Sequence, residues 1–95
     1  RSFDLVDRLK ELGHSVDVAD PLADPAEVKA EYAVDLTTPD DGRYDLVVGA
    51  VAHYAYRQLS ADQIMTWLDP GATLADIKGV WRDLALDPSI DRWSL

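Results

Sequence analysis

Tyr44-Asp45-Leu46-Val47-Val48-Gly49-Ala50-Val51 is a short apolar run with a polar segment on its N-terminal side. Such a run reads as a strand covered on both faces, the pattern of a parallel sheet flanked by helices. Downstream, Ser60-Ala61-Asp62-Gln63 is a capping box, with Leu59 and Ile64 placed to form its hydrophobic staple. That helix is expected to run to about Leu68, where Asp69-Pro70-Gly71 turns the chain. Ala72 to Ile77 then reads as a second apolar strand, followed by Lys78-Gly79.

Upstream, Leu5, Val6, Leu9 and Leu12 share one helical face. Ser2 is a candidate N-cap and Gly13 a stop, which predicts a helix over about 3–12. Ser15-Val16-Asp17-Val18-Ala19 alternates like a strand and is closed by Asp20-Pro21, because proline lacks a donor and restricts the residue before it. Asp24-Pro25-Ala26-Glu27 is a helix start with an N-cap, a first-turn proline and a glutamate in capping-box position, giving a helix over about 25–32. Val34-Asp35-Leu36 reads as a short strand, and Thr37 to Arg43 as a polar turn region. In the tail, Trp81 and Trp93 read as packing groups, and Arg92 to Leu95 as a short edge strand.

Helices thus alternate with strands that read as parallel and buried. This order predicts a Rossmann-like three-layer α/β/α sandwich with a mostly parallel sheet, in a single domain over residues 1–95. Such folds usually begin with a strand, whereas this chain begins with a helix.

Composition narrows the function. The 95 residues are 47 % hydrophobic and 28 % charged, with a formal net charge of −9. That charge disfavours broad binding to nucleic acid or an anionic membrane, both of which need phosphates neutralised by Lys and Arg. It leaves room for one anionic ligand held by a few placed cations. There is no cysteine, which excludes disulfides, thiolate metal sites and a cysteine nucleophile, and fits a cytoplasmic protein. No apolar run approaches the ~20 residues that span a bilayer. No glycine-rich dinucleotide loop, Walker loop or G-x-S-x-G elbow occurs. A phospho-receiver reading fails as well, because the middle strand ends in Gly49-Ala50-Val51 where the acceptor aspartate would stand.

In an open parallel sheet, ligands bind beyond the carboxyl ends of the strands. Three segments end strands in this sense: Asp20-Pro21, Ala52-His53-Tyr54 and Lys78-Gly79. Each member also has a plain structural role. Asp20 before proline is commonly a turn-former, His53 a hydrogen-bonded loop histidine, and Lys78 a solvated cation. His14 reads as a capping or surface residue, and the two histidines lack metal-ligand spacing.

The segment order as a whole resembles the C-terminal, UDP-binding domain of the UDP-glucose/GDP-mannose dehydrogenase family. Four stretches carry the likeness: Asp4 to His14 running on through Val16 to Asp24; Tyr44 to Val48 leading into Ala50-Val51-Ala52-His53; Leu74-Ala75-Asp76-Ile77-Lys78-Gly79; and Arg92-Trp93-Ser94-Leu95. The Ala-Val-Ala-His form is most similar to members acting on UDP-N-acetylhexosamines. The resemblance implies an enzyme that oxidises the sugar C6 alcohol to a carboxylate by two hydride transfers to NAD. In that scheme an N-terminal domain holds NAD and the catalytic cysteine, and the C-terminal domain closes over UDP. Lys78 and Gly79 match the family's basic Asp-x-Lys/Arg-Gly segment, where a fixed cation suits a diphosphate. His53 and Asp20 match family positions at the same edge.

The resemblance also implies a first strand, a lysine-bearing loop and an Arg-x-Ser motif ahead of Arg1. The expectation is therefore a domain excised from a larger dehydrogenase. It would lack its first strand and carry no catalytic residue or cofactor of its own. Its partners would be a UDP-sugar, the NAD-binding domain and a homo-oligomer, and the isolated chain would bind UDP weakly or not at all. Two other classes remain open: a non-catalytic interaction module with an unused ligand edge, and a small-ligand regulatory domain.

Overall fold

A computed structural model describes residues 2–39 and 44–94. The chain forms two compact units, Arg1–Pro39 and Asp40–Leu95.

The first unit contains α1 (Ser2–Glu11) and α2 (Pro25–Tyr32). Ser2 is already helical rather than a flanking cap. At the other end, Gly13 takes φ +92°. Its N–H donates to the Lys10 carbonyl at 3.0 Å, and the His14 N–H donates to that of Leu9 at 3.1 Å. This paired closure of a helix C-terminus needs a left-handed residue, which glycine supplies without steric cost. The α2 start follows its sequence: the Asp24 carboxylate accepts the Ala26 N–H at 2.9 Å, with Pro25 in the first turn. Val6, Val28 and Val34 are the buried apolar residues of this unit among the described ones.

The predicted strands at 15–19 and 34–36 shrink to one parallel bridge, Val18 to Leu36, closed by the Thr37 N–H on the Val18 carbonyl at 2.7 Å. Asp17 and Asp35 interrupt the apolar pattern of both segments and are exposed, so neither has two faces to bury. Part of the predicted polar turn, residues 40–43, and the end of the predicted edge strand, Leu95, lie outside the described residues.

The second unit is built on a three-stranded parallel sheet in the order β1 (Tyr44–Gly49), β2 (Leu68–Asp76), β3 (Asp91–Ser94). Two short helices, α3 (Tyr54–Arg57) and α4 (Ala61–Met65), carry the chain from β1 to β2. This is a Rossmann-like α/β arrangement. The capping box at α4 forms in full: Ser60 Oγ accepts the Gln63 N–H at 3.2 Å, and Gln63 Oε1 accepts the Ser60 N–H at 2.7 Å. Ile64, Leu68, Ala72, Leu74, Trp81 and Ile90 form the core, with Leu59 and Val47 packed against it.

Two expectations change here. Asp69-Pro70-Gly71 does not end an element; it lies inside β2. Tyr44 pairs with Leu68, but Leu46 pairs with Thr73, so a two-residue step on β1 faces a five-residue step on β2. The segment is a bulge, which tolerates Pro70 without a ladder donor and Gly71 at φ +79°. β1 also stops at Gly49, two residues early, and its outer positions are open: Leu46 is 40 % exposed, so it is not covered along its whole length.

Candidate anion-binding edge

β1, β2 and β3 run parallel, and Gly49 pairs with Asp76 and Asp76 with Ser94. Their carboxyl ends therefore lie along one edge. The segments that leave β1 and β2 there are Ala50–His53 and Ile77–Gly79. The structure thus brings His53 and Lys78-Gly79 to a common edge of the second unit. Asp20 belongs to the first unit, where its Oδ1 accepts the Leu22 N–H at 3.0 Å and closes an Asx turn.

The turn after β2 is built by Asp76. Its side chain is 4 % exposed, the one buried charge among the described residues. Oδ1 accepts the Val80 N–H at 3.0 Å and Oδ2 the Trp81 N–H at 2.9 Å. Its backbone carbonyl accepts the Gly79 N–H at 3.2 Å. Three donors from residues 79–81 thus converge on one residue, which winds the chain back over the strand end. Gly79 takes φ +70°, and a Cβ there would also overlap the Arg82 guanidinium. Glycine meets both demands at once. Lys78, at the crest of this braced turn, is exposed.

Trp81 locks the turn to β1. The indole is 3 % exposed and donates from Nε1 to the Tyr56 carbonyl at 2.8 Å. Its six-membered ring lies against Gly49, where an added Cβ would stand 2.6 Å from Cζ3. Tyr56 and Trp67 meet the indole edge-on at 6.3 and 6.4 Å between ring centres. Next to it, His53 precedes α3 and stacks obliquely on Tyr56 at 5.7 Å. Arg92 ties the far side, donating to the carbonyls of Leu84 at 2.6 Å and Trp81 at 2.7 Å.

Several charges of this unit can be placed from the strand ends. Asp45 and Asp69 stand near the amino ends of β1 and β2, and Asp91 opens β3 with Asp87 before it. Arg57, held to the Ala52 carbonyl at 3.4 Å, belongs with Lys78 and Arg82 at the carboxyl edge. Of the carboxylates there, Asp76 has both oxygens occupied by backbone donors, and Asp83 follows Arg82. Three cations, Arg57, Lys78 and Arg82, thus stand at this edge beside two carboxylates, and cations so gathered attract an anion. Among the described residues, no group of three or more His, Cys, Asp or Glu side chains can hold a metal ion, and no helix is long and apolar enough to cross a membrane.

Sequence reasoning expected Asp20, His53, Lys78 and Gly79 at one edge; His53, Lys78 and Gly79 lie at the carboxyl edge of this sheet, and Asp20 belongs to the first unit. That reasoning missed Asp76 as the brace and Arg82 as a neighbour of Gly79. It also took Trp93 for a packing group, whereas Trp93 is 50 % exposed on β3. Every residue of β3 is exposed, so the sheet offers its ring no second layer. An aspartate two residues before Lys-Gly at a strand end was the available signal for the brace.

Comparison with known proteins agrees with the geometry. The chain is 31 % identical over 84 residues to the UDP-N-acetyl-D-glucosamine 6-dehydrogenase of Salmonella typhi, covering 84 % of this chain and 20 % of that protein. It is 33 % identical over 76 residues to the Pseudomonas aeruginosa protein of the same name, covering 79 % and 18 %. The chain therefore spans about a fifth of the length of these relatives. No solved structure matches it significantly. Residues 1–83 match the UDP binding domain of the UDP-glucose/GDP-mannose dehydrogenase family, a span that takes in Asp76 to Arg82 and leaves out Arg92–Leu95. With the braced basic turn inside the matched region, the chain belongs to the UDP-glucose/GDP-mannose dehydrogenase family, as a UDP binding domain.

Proposed function

We propose that this chain is the UDP-sugar-binding domain of an NAD-dependent nucleotide-sugar 6-dehydrogenase. The substrate class would be a UDP-N-acetylhexosamine, oxidised at C6 to the carboxylate. The observation that carries the reading is the Asp76-braced turn, which holds Lys78 and Gly79 at the carboxyl edge of a parallel sheet. Lys78 supplies a point charge to the diphosphate, and Gly79 is the left-handed residue that lets the turn hold that charge at the edge. His53 borders the same edge.

NAD does not fit the described residues. The β1–α3 turn, residues 50–53, has no glycine, and Gly49, which ends β1, has its open side filled by the Trp81 ring, so no pyrophosphate can approach there. The helix that follows is four residues long, too short for a dinucleotide cradle. The hydride acceptor and the nucleophile are assigned to the N-terminal domain of the parent enzyme, which itself would act as a homo-oligomer.

The test is calorimetric titration of UDP into the intact protein carrying this domain, with and without Lys78→Ala. A hydrogen bond to a charged partner contributes about 1.5–3 kcal/mol, so affinity should fall by roughly 10- to 100-fold. Unchanged UDP affinity together with unchanged turnover would remove Lys78 from the site.

A further inference from the structure

Residues 79–84 follow the cation Lys78 and carry a second cation, Arg82. Their backbone belongs to no helix or strand. The Arg82 N–H donates to the Gly79 carbonyl at 3.4 Å, and the Leu84 N–H to the Trp81 carbonyl at 3.0 Å. Single turns with no ladder beyond them belong to the less stable parts of a fold. Asp76 holds the start of the segment through the Val80 and Trp81 N–H groups.

Arg92 holds the segment from the other side. It is anchored in β3, in register with Leu74 of β2. Its Nη1 donates to the Leu84 carbonyl at 2.6 Å and its Nη2 to the Trp81 carbonyl at 2.7 Å. Trp81 is thus gripped twice, at its N–H by the Asp76 carboxylate and at its carbonyl by the Arg92 guanidinium. The two carbonyls flank Arg82 and Asp83, so the tie fixes the stretch of backbone that carries Arg82. The Arg82 guanidinium in turn lies over Gly79, where a Cβ would overlap it.

We propose that Arg92 is a positioning residue for the anion edge: its fork clasps the carbonyls of Trp81 and Leu84 and keeps Lys78 and Arg82 in the arrangement that binds. The inference rests on the nucleotide reading above and deepens it. Arg92 acts through the turn and not on the ligand, since both its Nη groups bond to carbonyls. Hydrogen bonds from a guanidinium are charge-assisted, roughly twice as strong as neutral ones. Lysine is no substitute, because its ammonium is a point charge without the planar fork. When the binding arrangement is only fractionally populated, apparent affinity falls by that fraction. The loss then appears in the association rate, because fewer molecules are ready to bind. Loss of a direct contact appears chiefly in the dissociation rate.

The experiment measures both rates for UDP by stopped flow on the intact protein carrying this domain, for the native sequence, Arg92→Ala, Arg92→Lys, Lys78→Ala and Ser60→Ala. Arg92→Ala should slow association by roughly 5- to 30-fold and leave dissociation near native. Arg92→Lys keeps the charge but loses the fork, and should slow association in the same direction. Lys78→Ala should chiefly speed dissociation. Ser60→Ala weakens the same unit at the α4 cap and should leave both rates native. Native rates in Arg92→Ala overturn the clasp. Native rates in Arg92→Lys overturn it too, because charge alone then suffices, and equal slowing in Ser60→Ala reduces it to general stability. If Lys78→Ala changes UDP binding and neither Arg92 variant does, the clasp is wrong and the nucleotide reading stands. If UDP does not bind the native protein, both fall. Hydrogen exchange at the Leu84 N–H should speed up in Arg92→Ala while the β1–β2 ladder keeps native exchange, which excludes misfolding; unchanged exchange at Leu84 would also overturn the clasp.

Discussion

Replacing Asp76 by asparagine tests the brace most directly. The substitution keeps the shape of the side chain but turns one of its two acceptors into an NH₂ group. Either the Val80 or the Trp81 N–H, now accepted at 3.0 and 2.9 Å, must then face a donor. Orphaning a buried donor costs about 1–3 kcal/mol, and the surviving bond drops from charge-assisted to neutral strength, roughly another 1 kcal/mol. Against this, asparagine is cheaper to bury than a carboxylate that is 4 % exposed. The net loss is about 2 kcal/mol, or some 8–16 °C in the melting temperature of a unit this small. All three tryptophans, Trp67, Trp81 and Trp93, lie in the second unit, so tryptophan fluorescence follows its melting alone. Hydrogen exchange should speed up selectively at Val80 and Trp81. UDP affinity should also fall, and that loss should vanish in a Lys78→Ala background, because the brace acts on ligand only through the turn. A native melting temperature with native exchange at Val80 and Trp81 would refute the brace. A binding loss that simply adds to that of Lys78→Ala would refute its coupling to the cation.

Gly49→Ala should cost about 1–3 kcal/mol by overpacking, since its Cβ would meet Trp81 Cζ3 at 2.6 Å; most of that cost should disappear with Trp81→Phe, whose ring lacks the outer atoms, as a double-mutant cycle on thermal melts will read. Ser60→Ala removes one half of the capping box and should cost about 1 kcal/mol, measured by urea unfolding. The Asp87 carboxyl is held below its ordinary value of 3.8, first by the Ser89 backbone N–H and then by the Ser89 hydroxyl. Being depressed, it contributes stability that is present above the unfolded value and is lost as pH falls through the lower folded one. Carbon-detected NMR should place its midpoint below 3.8, and Ser89→Ala should raise that midpoint only in part, since the backbone donor stays.

Local chemistry was legible in the sequence where neighbours in the chain are also partners in space. The Asp24 cap, the Ser60 box and the Gly13 stop each close within a few residues, and each stands as read. The second apolar strand was legible too, but its start was not. Asp69-Pro70-Gly71 carries turn residues, and only pairing with β1 shows that they bulge out of a strand instead of ending one. Ser15–Ala19 failed in the opposite way: its alternation is that of a strand, yet a ladder also needs a partner, and the described partner offers one bridge. Trp93 was misread because aromatic size alone suggests burial, while exposure depends on whether anything packs over β3.

The candidate site divides along the same line. Residues 76–82 supply the brace (Asp76), the cation (Lys78), the left-handed turn residue (Gly79), the lock on β1 (Trp81) and the second cation (Arg82), all within one short segment. Such a cluster survives as a sequence pattern because its geometry is set by hydrogen bonds spanning three to five residues. Asp20 is the contrary case. Its Asx turn is closed at short range, and such a local bond says nothing about a ligand. Substituting Asp20 by asparagine, which preserves the Asx turn but removes the charge, separates the two roles. UDP affinity of the intact protein unchanged by Asp20→Asn would leave Asp20 a turn-former only, whereas a shift in affinity with native melting would place its charge at the ligand.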